Sequence, residues 1–369
     1  MTAVPDLDGL MRRTPRHAPI RPPASNPTAA SLGFRMPGEF EPQSSVWLAW
    51  PGVTTRVWAD TPALLDEFTQ LARTIGRYET VRVVVDPAFA DECAGRLGPG
   101  YEPLVQPVDD IWIRDTGPTF VVGKDGALGG VAWHFNVWGD KFDGYERDAE
   151  LAAHITRAAG ARAFAAGLIT EGGALHVDGA GTVVVTDSAL LNSNRNPGLT
   201  RREAEEHLNA ALGTRQVIWL PGGSDGDSIT DGHVDGLMTF VKPGVVLCST
   251  TDDTAHPRHR EYRESLDCLR RARDARGRTL EVIPVALPRS LPSHSRHFCA
   301  AYVNCLIVND AVVIPEFGDA CADAAARRTF EAVFGDRVVA SVRIDAVASG
   351  GGGIHCITQQ QPAATLEDF

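Results

Sequence analysis

The sequence predicts an α/β fold assembled from five pseudo-symmetric units. Two observations carry this. One supersecondary pattern, an apolar strand, a tight turn and a second apolar strand, occurs four times, and its turns begin at Gly123, Asp178, Lys242 and Asn309. The pattern therefore returns roughly every sixty residues, and near-regular return of one unit marks a radial or stacked repeat.

The first copy runs through Thr119-Phe-Val-Val, turns at Gly123-Lys-Asp-Gly126 and returns through Gly130-Val-Ala-Trp-His. The second joins Ala174-Leu-His-Val to Thr182-Val-Val-Val across Asp178-Gly-Ala-Gly181. The third joins Leu237-Met-Thr-Phe-Val to Val245-Val-Leu across Lys242-Pro-Gly244. The fourth joins Tyr302-Val-Asn-Cys-Leu-Ile-Val to Ala311-Val-Val-Ile across Asn309 and Asp310. Each turn has the Gly, Asn, Asp or Pro chemistry that hairpins require. A fifth unit would follow the glycine run at Gly350 to Gly353 and be completed by the N-terminal strand Ser45-Val-Trp-Leu-Ala-Trp50.

Helical patterns lie between the hairpins. Asp60 or Thr61 caps one, with Pro62 in its first turn and Leu64, Leu65, Phe68, Leu71, Ala72 and Ile75 on one face. Thr200 and Glu203 have capping-box spacing ahead of Ala204, Leu208 and Leu212. Residues 258–275 and 320–333 also read as helices. Single strands follow at Val81 to Val85, Val217 to Leu220, Leu280 to Val285 and Val338 to Ile344. The unit is thus hairpin, helix, strand. Residues 1–32, rich in Pro, Ala, Arg and Ser, read as a flexible extension, 33–362 as one domain and 363–369 as a tail.

Composition narrows the function. The chain has 369 residues, 43% of them hydrophobic, and a net charge of −12. That acidity argues against nucleic acid and suits a cationic substrate. Seven cysteines are scattered without a CxxC pair, so neither a zinc ribbon nor a disulfide framework is expected. This usage fits a reducing, cytoplasmic setting. Arg12, Arg13 and Arg16 are not followed by an apolar stretch of the secretory kind, and no apolar run is long enough to span a bilayer.

Polar clusters fall at corresponding places in the repeat. Asp109-Asp-Ile-Trp-Ile-Arg-Asp115-Thr-Gly-Pro118 ends just before the first hairpin, Glu171-Gly-Gly173 before the second and Asp231-Gly-His233-Val-Asp235 before the third. Cys356 follows four glycines in the fifth unit, which leave no side chains to shield its thiol. Each has a bland reading: Asp115 as a turn former, Glu171 as a cap, His233 as a core histidine or metal ligand, Cys356 as a small hydrophobe. In a closed array, however, equivalent positions face one axis, and packing alone does not explain why these groups recur there. Cys248, Cys299 and Cys305 lie in or beside apolar strands and read as core. A thiol, a histidine and several carboxylates without a metal suit nucleophilic attack on a planar, cationic carbon such as that of a guanidinium.

At these residues the chain resembles the agmatine deiminase family, within the guanidine-modifying pentein superfamily. The resemblance runs from Met36-Pro-Gly-Glu-Phe-Glu-Pro and Trp47-Leu-Ala-Trp-Pro through the Asp109 and Glu171 motifs. It continues through Leu191-Asn-Ser-Asn-Arg-Asn-Pro and Thr230-Asp-Gly-His-Val-Asp to Ile354-His-Cys-Ile-Thr-Gln-Gln. It implies a five-bladed α/β propeller that hydrolyses agmatine to N-carbamoylputrescine and ammonia without cofactor or metal. Cys356 matches the nucleophile and His233 the general acid and base. Glu171 matches the carboxylate that orients the histidine and contacts the guanidinium. Asp115 and Asp235 match the carboxylates that grip it, and Trp112 is a candidate for the pocket wall. Asp109 and Asp110 are candidates, on charge alone, for the far amine of the substrate. A homo-oligomer is compatible with the sequence.

Three departures from the family pattern lie beside the site. Gly353 replaces an Asn, Tyr302-Val-Asn-Cys-Leu replaces Tyr-Val-Asn-Phe-Tyr, and Ser228-Ile229 stands where an acidic residue is common. They bear on the substrate tail, so another alkylguanidine or an arginine derivative remains an alternative, as does an amidinotransferase. A non-catalytic pentein-like binding protein would be expected to lack the nucleophile. A metal hydrolase using His233, Asp235 and Cys356 is the least favoured alternative.

Overall fold

A computed structural model describes residues 27–223, 227–291 and 295–364. It contains five separate sheets, and every one is built around an antiparallel pair followed by a parallel strand. Thr119–Gly123 and Leu128–His134 form the first hairpin, with Arg162–Ile169 parallel to the second strand. His176–Val177, Thr182–Thr186 and Gln216–Leu220 form the second sheet. Met238–Lys242, Val245–Thr250 and Glu281–Ala286 form the third. Leu306–Ile307, Ala311–Glu316 and Val338–Arg343 form the fourth. In the fifth, Gln359–Pro362 pairs antiparallel with Gln43–Ala49, which pairs in parallel with Val81–Val85, itself followed by Tyr101–Val105. The N-terminal strand therefore completes the last unit, as the repeat requires.

The helices lie where the second strand of each hairpin hands over to the parallel one. They are Thr61–Ile75, Leu151–Ala158, Arg201–Leu212, His259–Arg271 and Ala320–Val333. A parallel strand needs a crossover, and a helix with one apolar face supplies it while covering the sheet. Leu64, Leu65, Phe68, Leu71, Ala72 and Ile75 are buried along one such face. The central strands are apolar without alternation because both of their faces are covered; Thr182–Thr186 is buried throughout. The Thr200 capping box is formed in both directions. Asp60 occupies the cap of Thr61–Ile75 but its carboxylate makes no capping bond.

Several elements differ from expectation. Residues 27–32, assigned to the extension, belong to the folded body: Ala30–Leu32 is a 3-10 turn and Ala29 is buried against Phe34 and Met36. Residues 1–26 and 365–369 lie outside the described residues. The fourth hairpin has only Leu306–Ile307 in its first strand, because residues 301–305 leave the ladder and carry Asn304 toward Cys356. Arg162–Ile169, Leu151–Ala158 and Tyr101–Val105 have no counterpart in the sequence reading; their small or polar residues break the apolar run.

Thr200→Ala should lower unfolding free energy by about 1 kcal/mol in urea titration, the usual cost of removing a hydroxyl cap. An unchanged midpoint would show that Arg201–Leu212 is held by packing alone.

Candidate active site

Each unit enters its first strand through a short irregular turn, and these turns carry the chemical groups. Asp115 sits in the single helical turn Ile113–Thr116, Glu171 precedes the 3-10 turn Gly172–Ala174, and His233 and Asp235 flank Val234 in the next such turn. Asn304 and Cys356 occupy the same place in the fourth and fifth units. Five sequence-distant turns thus meet.

Gly173 measures how tightly they meet. A Cβ built there would lie 2.7 Å from His233 Nδ1, 2.9 Å from Asp115 Oδ1 and 2.9 Å from Asp235 Oδ2. Only glycine leaves that space open, and its N–H donates to Asp115 Oδ1 at 2.9 Å. Asp115 Oδ2 accepts from Trp138 Nε1 at 2.9 Å. Trp138 reaches it from a strained loop in which Val137, Trp138 and Asp140 all have left-handed φ, at 57°, 54° and 65°.

His233 is oriented from behind. Its Nε2 lies 3.2 Å from Glu171 Oε2, so Nδ1 is the nitrogen left to exchange a proton; it is 3.9 Å from Asp115 Oδ1. Glu171 is held in turn by Arg195, whose Nε donates to both carboxylate oxygens at 2.8 and 3.0 Å. Arg195 also donates to Asp231 Oδ2 at 2.6 Å and is almost wholly buried. Burial opposes charge on Glu171, but Arg195 and then His233 override it and hold the carboxyl near 2. Burial likewise opposes charge on His233, yet Asp115, Glu171 and Asp235 raise the imidazole to about 9. It is therefore an imidazolium at neutral pH.

Cys356 faces this group. Its Sγ lies 3.4 Å from Asp235 Oδ2 and 3.2 Å from Asn304 Nδ2. Burial, then Asp235, Cys299 and Asp115, push the thiol well above its ordinary range, and the Gly353 N–H works against this. Burial also raises Asp115. Asp235 moves the other way: burial resists ionisation, but a hydrogen bond from His355 outweighs it. These surroundings favour the thiol form of Cys356 in the free protein, and an added positive charge would favour the thiolate.

Two adjoining cavities of about 110 and 30 Å³ meet at Cys356. The smaller is walled by Trp58, Trp112, Trp138, Phe142 and Tyr145, with Asp115 in its lining. The larger holds His233, Asp235, Asn304 and the cationic Arg258. Ile229 lines both. A groove of about 730 Å³ elsewhere, between Thr61–Ile75 and Val338–Arg343, carries none of these groups.

The sequence-predicted residues divide accordingly. Cys356, His233, Asp115, Asp235 and Trp112 line the cavities, while Glu171 stands behind the histidine and lines neither. Asp109 and Asp110 are elsewhere. Asp110 accepts from Thr55, Trp58 and Tyr145 at 2.6, 2.9 and 2.8 Å, and Asp109 accepts from the Arg147 N–H at 2.9 Å. Both brace the wall, and neither reaches the cavity. The glycine run also has another explanation than a bare thiol. A side chain at Gly350 would strike Trp58, at Gly351 Ile229, at Gly352 Trp112 and the Cβ of Cys356, and at Gly353 the amide of Asn304. The run is small so that tryptophans and Asn304 can close over the loop. Arg195, Asn304, His355 and Glu39 were missed as site residues. The repeat rule pointed to Asn304, which stands in unit four where the other units carry their functional groups.

Among the described residues, Glu39, His176 and His355 bring ligand-type atoms within 4.8 Å of one another. Each already has protein partners, although Glu39 Oε2 has none among the described residues: Arg114 Nη1 is 3.4 Å from Glu39, Thr239 Oγ1 is 3.1 Å from His176 Nε2, and His355 bridges Glu39 and Asp235. The cluster reads as a charge-balanced support for Asp235.

Comparison with known proteins shows what the chain as a whole is similar to. The profile of the Porphyromonas-type peptidyl-arginine deiminase family matches residues 35–362. A Streptomyces avermitilis protein is 41% identical over 353 residues, covering 91% of this chain and 99% of its own. The agmatine deiminase of Pseudomonas putida is 39% identical over 365 residues, covering 92% and 98%. The solved agmatine deiminase of Enterococcus faecalis superposes with a TM-score of 0.88 at 34% identity, over 92% of this chain and 99% of that one.

Two outcomes follow from the site. Gly352→Ala drives a methyl into Trp112 and should remove most ligand binding at the cavity, measured by calorimetry with an alkylguanidine; undiminished binding would show that the loop yields. A cationic alkylating amidine should modify Cys356 at pH 7 at least about tenfold faster than neutral iodoacetamide, read by mass on the Cys356 peptide. The neutral reagent should accelerate only as pH rises toward the elevated thiol pKa, since a raised pKa keeps the proton on at lower pH. Equal rates at pH 7 would mean the thiolate is already present.

Proposed function

Because the chain belongs to the Porphyromonas-type peptidyl-arginine deiminase family, we propose that it hydrolyses agmatine to N-carbamoylputrescine and ammonia through an amidino-cysteine intermediate. The observation that carries this is the convergence of His233 Nδ1, Asp115 Oδ1 and Asp235 Oδ2 around the empty flank of Gly173, beside Cys356 Sγ.

The planar guanidinium lies between Asp115 and Asp235, whose oxygens accept its N–H groups in fork geometry. Its charge lowers the cost of ionising Cys356, so the thiolate forms as the substrate seats and the thiol proton passes to solvent. The sulfur attacks the central carbon, forming a C–S bond and a tetrahedral adduct. His233, protonated at neutral pH, donates from Nδ1 to one nitrogen, which leaves as ammonia. The neutral imidazole then takes a proton from water, and the hydroxide adds to the amidino carbon. Collapse of this second adduct breaks the C–S bond and releases the urea product. Glu171 stabilises the imidazolium in both halves, and Arg195 holds Glu171 in place. Trp58 and Trp112, stacked at 5.6 Å, form an apolar wall for an alkyl tail.

A second reading concerns the tail alone. Ile229 lines both cavities where the resemblance would place an acidic residue. The apolar Ile229 suits an alkylguanidine without a terminal ammonium, whereas Asp227 in the lining of the larger cavity suits agmatine, and a panel of free guanidines assayed for ammonia separates the two.

Cys356→Ala should abolish ammonia release with the fold intact by circular dichroism; retained activity would sink the covalent route. His233→Ala should accumulate a protein-bound amidino adduct visible by mass. Glu171→Gln should cut kcat by about 10² or more if the carboxylate stabilises the imidazolium.

A further inference from the structure

A charged chain runs behind Asp235, on the side away from the ligand cavities, and the steps above leave it without a role. His355 Nδ1 lies 3.0 Å from Asp235 Oδ2, and His355 Nε2 lies 2.6 Å from Glu39 Oε1. An ionised carboxylate can only accept, so a ring that meets carboxylates at both nitrogens donates from both and is an imidazolium. All three side chains are buried.

The surroundings fix this ring from every side. Arg114 reaches Glu39 Oε1 at 3.4 Å through Nη1 and the His355 carbonyl at 3.2 Å through Nε. His176 stacks on the ring with centroids 5.7 Å apart and planes 13° apart, and burial keeps it low, at about 4. Charge on His355 is opposed by burial and by Arg114, and it is favoured by Glu39 and Asp235. The backbone N–H of His355 donates to Asn304 Oδ1 at 2.9 Å, and Asn304 Nδ2 lies 3.2 Å from Cys356 Sγ. The next residue is the nucleophile itself, whose Sγ contacts the same Asp235 oxygen that His355 holds.

We propose that His355 is a positioning residue: its imidazolium, clamped between Glu39 and Asp235, keeps Asp235 ionised and fixes the oxygen that meets both the guanidinium and Cys356. This rests on the reading of Asp235 as a guanidinium ligand. A neutral hydrogen-bonding residue at 355 would preserve the packing and lose the charge.

Two measurements on the full-length protein test this. Side-chain ¹⁵N spectra of the unmodified protein should show both His355 ring nitrogens protonated at pH 7.5; a neutral ring at that pH overturns the proposal. In His355→Gln, assayed with agmatine, kcat/KM should fall at least about tenfold. The acid limb of its pH profile should rise by about one pH unit or more, because a carboxyl deprived of a neighbouring cation holds its proton to higher pH. An even loss across pH with the limb unmoved is the signature of packing alone and overturns the proposal. The spectrum decides the matter even where the variant does not fold. Absence of ammonia release by the unmodified protein would count against the proposed reaction only, and the spectrum would still decide on His355.

Discussion

Charge balance in a dry interior is the constraint on which this molecule depends. Glu39, Asp115, Glu171, Asp231 and Asp235 are buried together near the meeting point of the five units. Arg114, Lys141, Arg195, His233 and His355 lie against them. An isolated buried carboxylate would take up a proton rather than remain charged, and a paired one can stay ionised. Beside Cys356 the balance falls on the acidic side: burial, with Asp235 and Asp115 close by, favours the protonated thiol. A positive charge brought beside Cys356 would favour the thiolate, so the same electrostatics that hold the turns together also bear on the state of the thiol.

The backbone supports this without contributing charge of its own. The polar turns meet because each precedes an equivalent strand in its unit. The sheets are rigid, apolar and covered by helices, so the turns inherit fixed positions. Among the described residues, left-handed φ at non-glycine positions occurs in the loop at Val137, Trp138 and Asp140 and at Asp231, whose φ is 62°. Lys141 Nζ binds Asp231 at 2.7 Å and the carbonyl of Ile229 at 2.7 Å, so these strained segments are tied to each other across the cavity mouth.

The repeat and the chemical groups were legible in the sequence, for physical reasons. Hairpin turns and apolar strands leave local signals, and the motifs at Asp115, Glu171, His233 and Cys356 fall at one phase of the repeat. The N-terminal strand could be assigned to the last sheet from that phase alone. What the sequence concealed was mostly partnership. Arg195 meets Glu171 from 24 residues away and His355 meets Glu39 across 316, and no local pattern records such pairs. Asp109 and Asp110 misled because an acidic pair looks available until its donors are known; Thr55, Trp58, Tyr145 and Arg147 supply them. The glycine run was read as exposing the thiol, whereas its purpose is to admit the faces of Trp58 and Trp112 and the amide of Asn304.

The pairing of Gln359–Pro362 with Gln43–Ala49 has a consequence in time. A ribosome releases the chain from its N-terminus, so the earlier strand waits on the order of tens of seconds for its partner at typical elongation rates. Cys356 lies three residues ahead of that late strand. Cys356 therefore reaches its setting only when this late strand pairs with Gln43–Ala49.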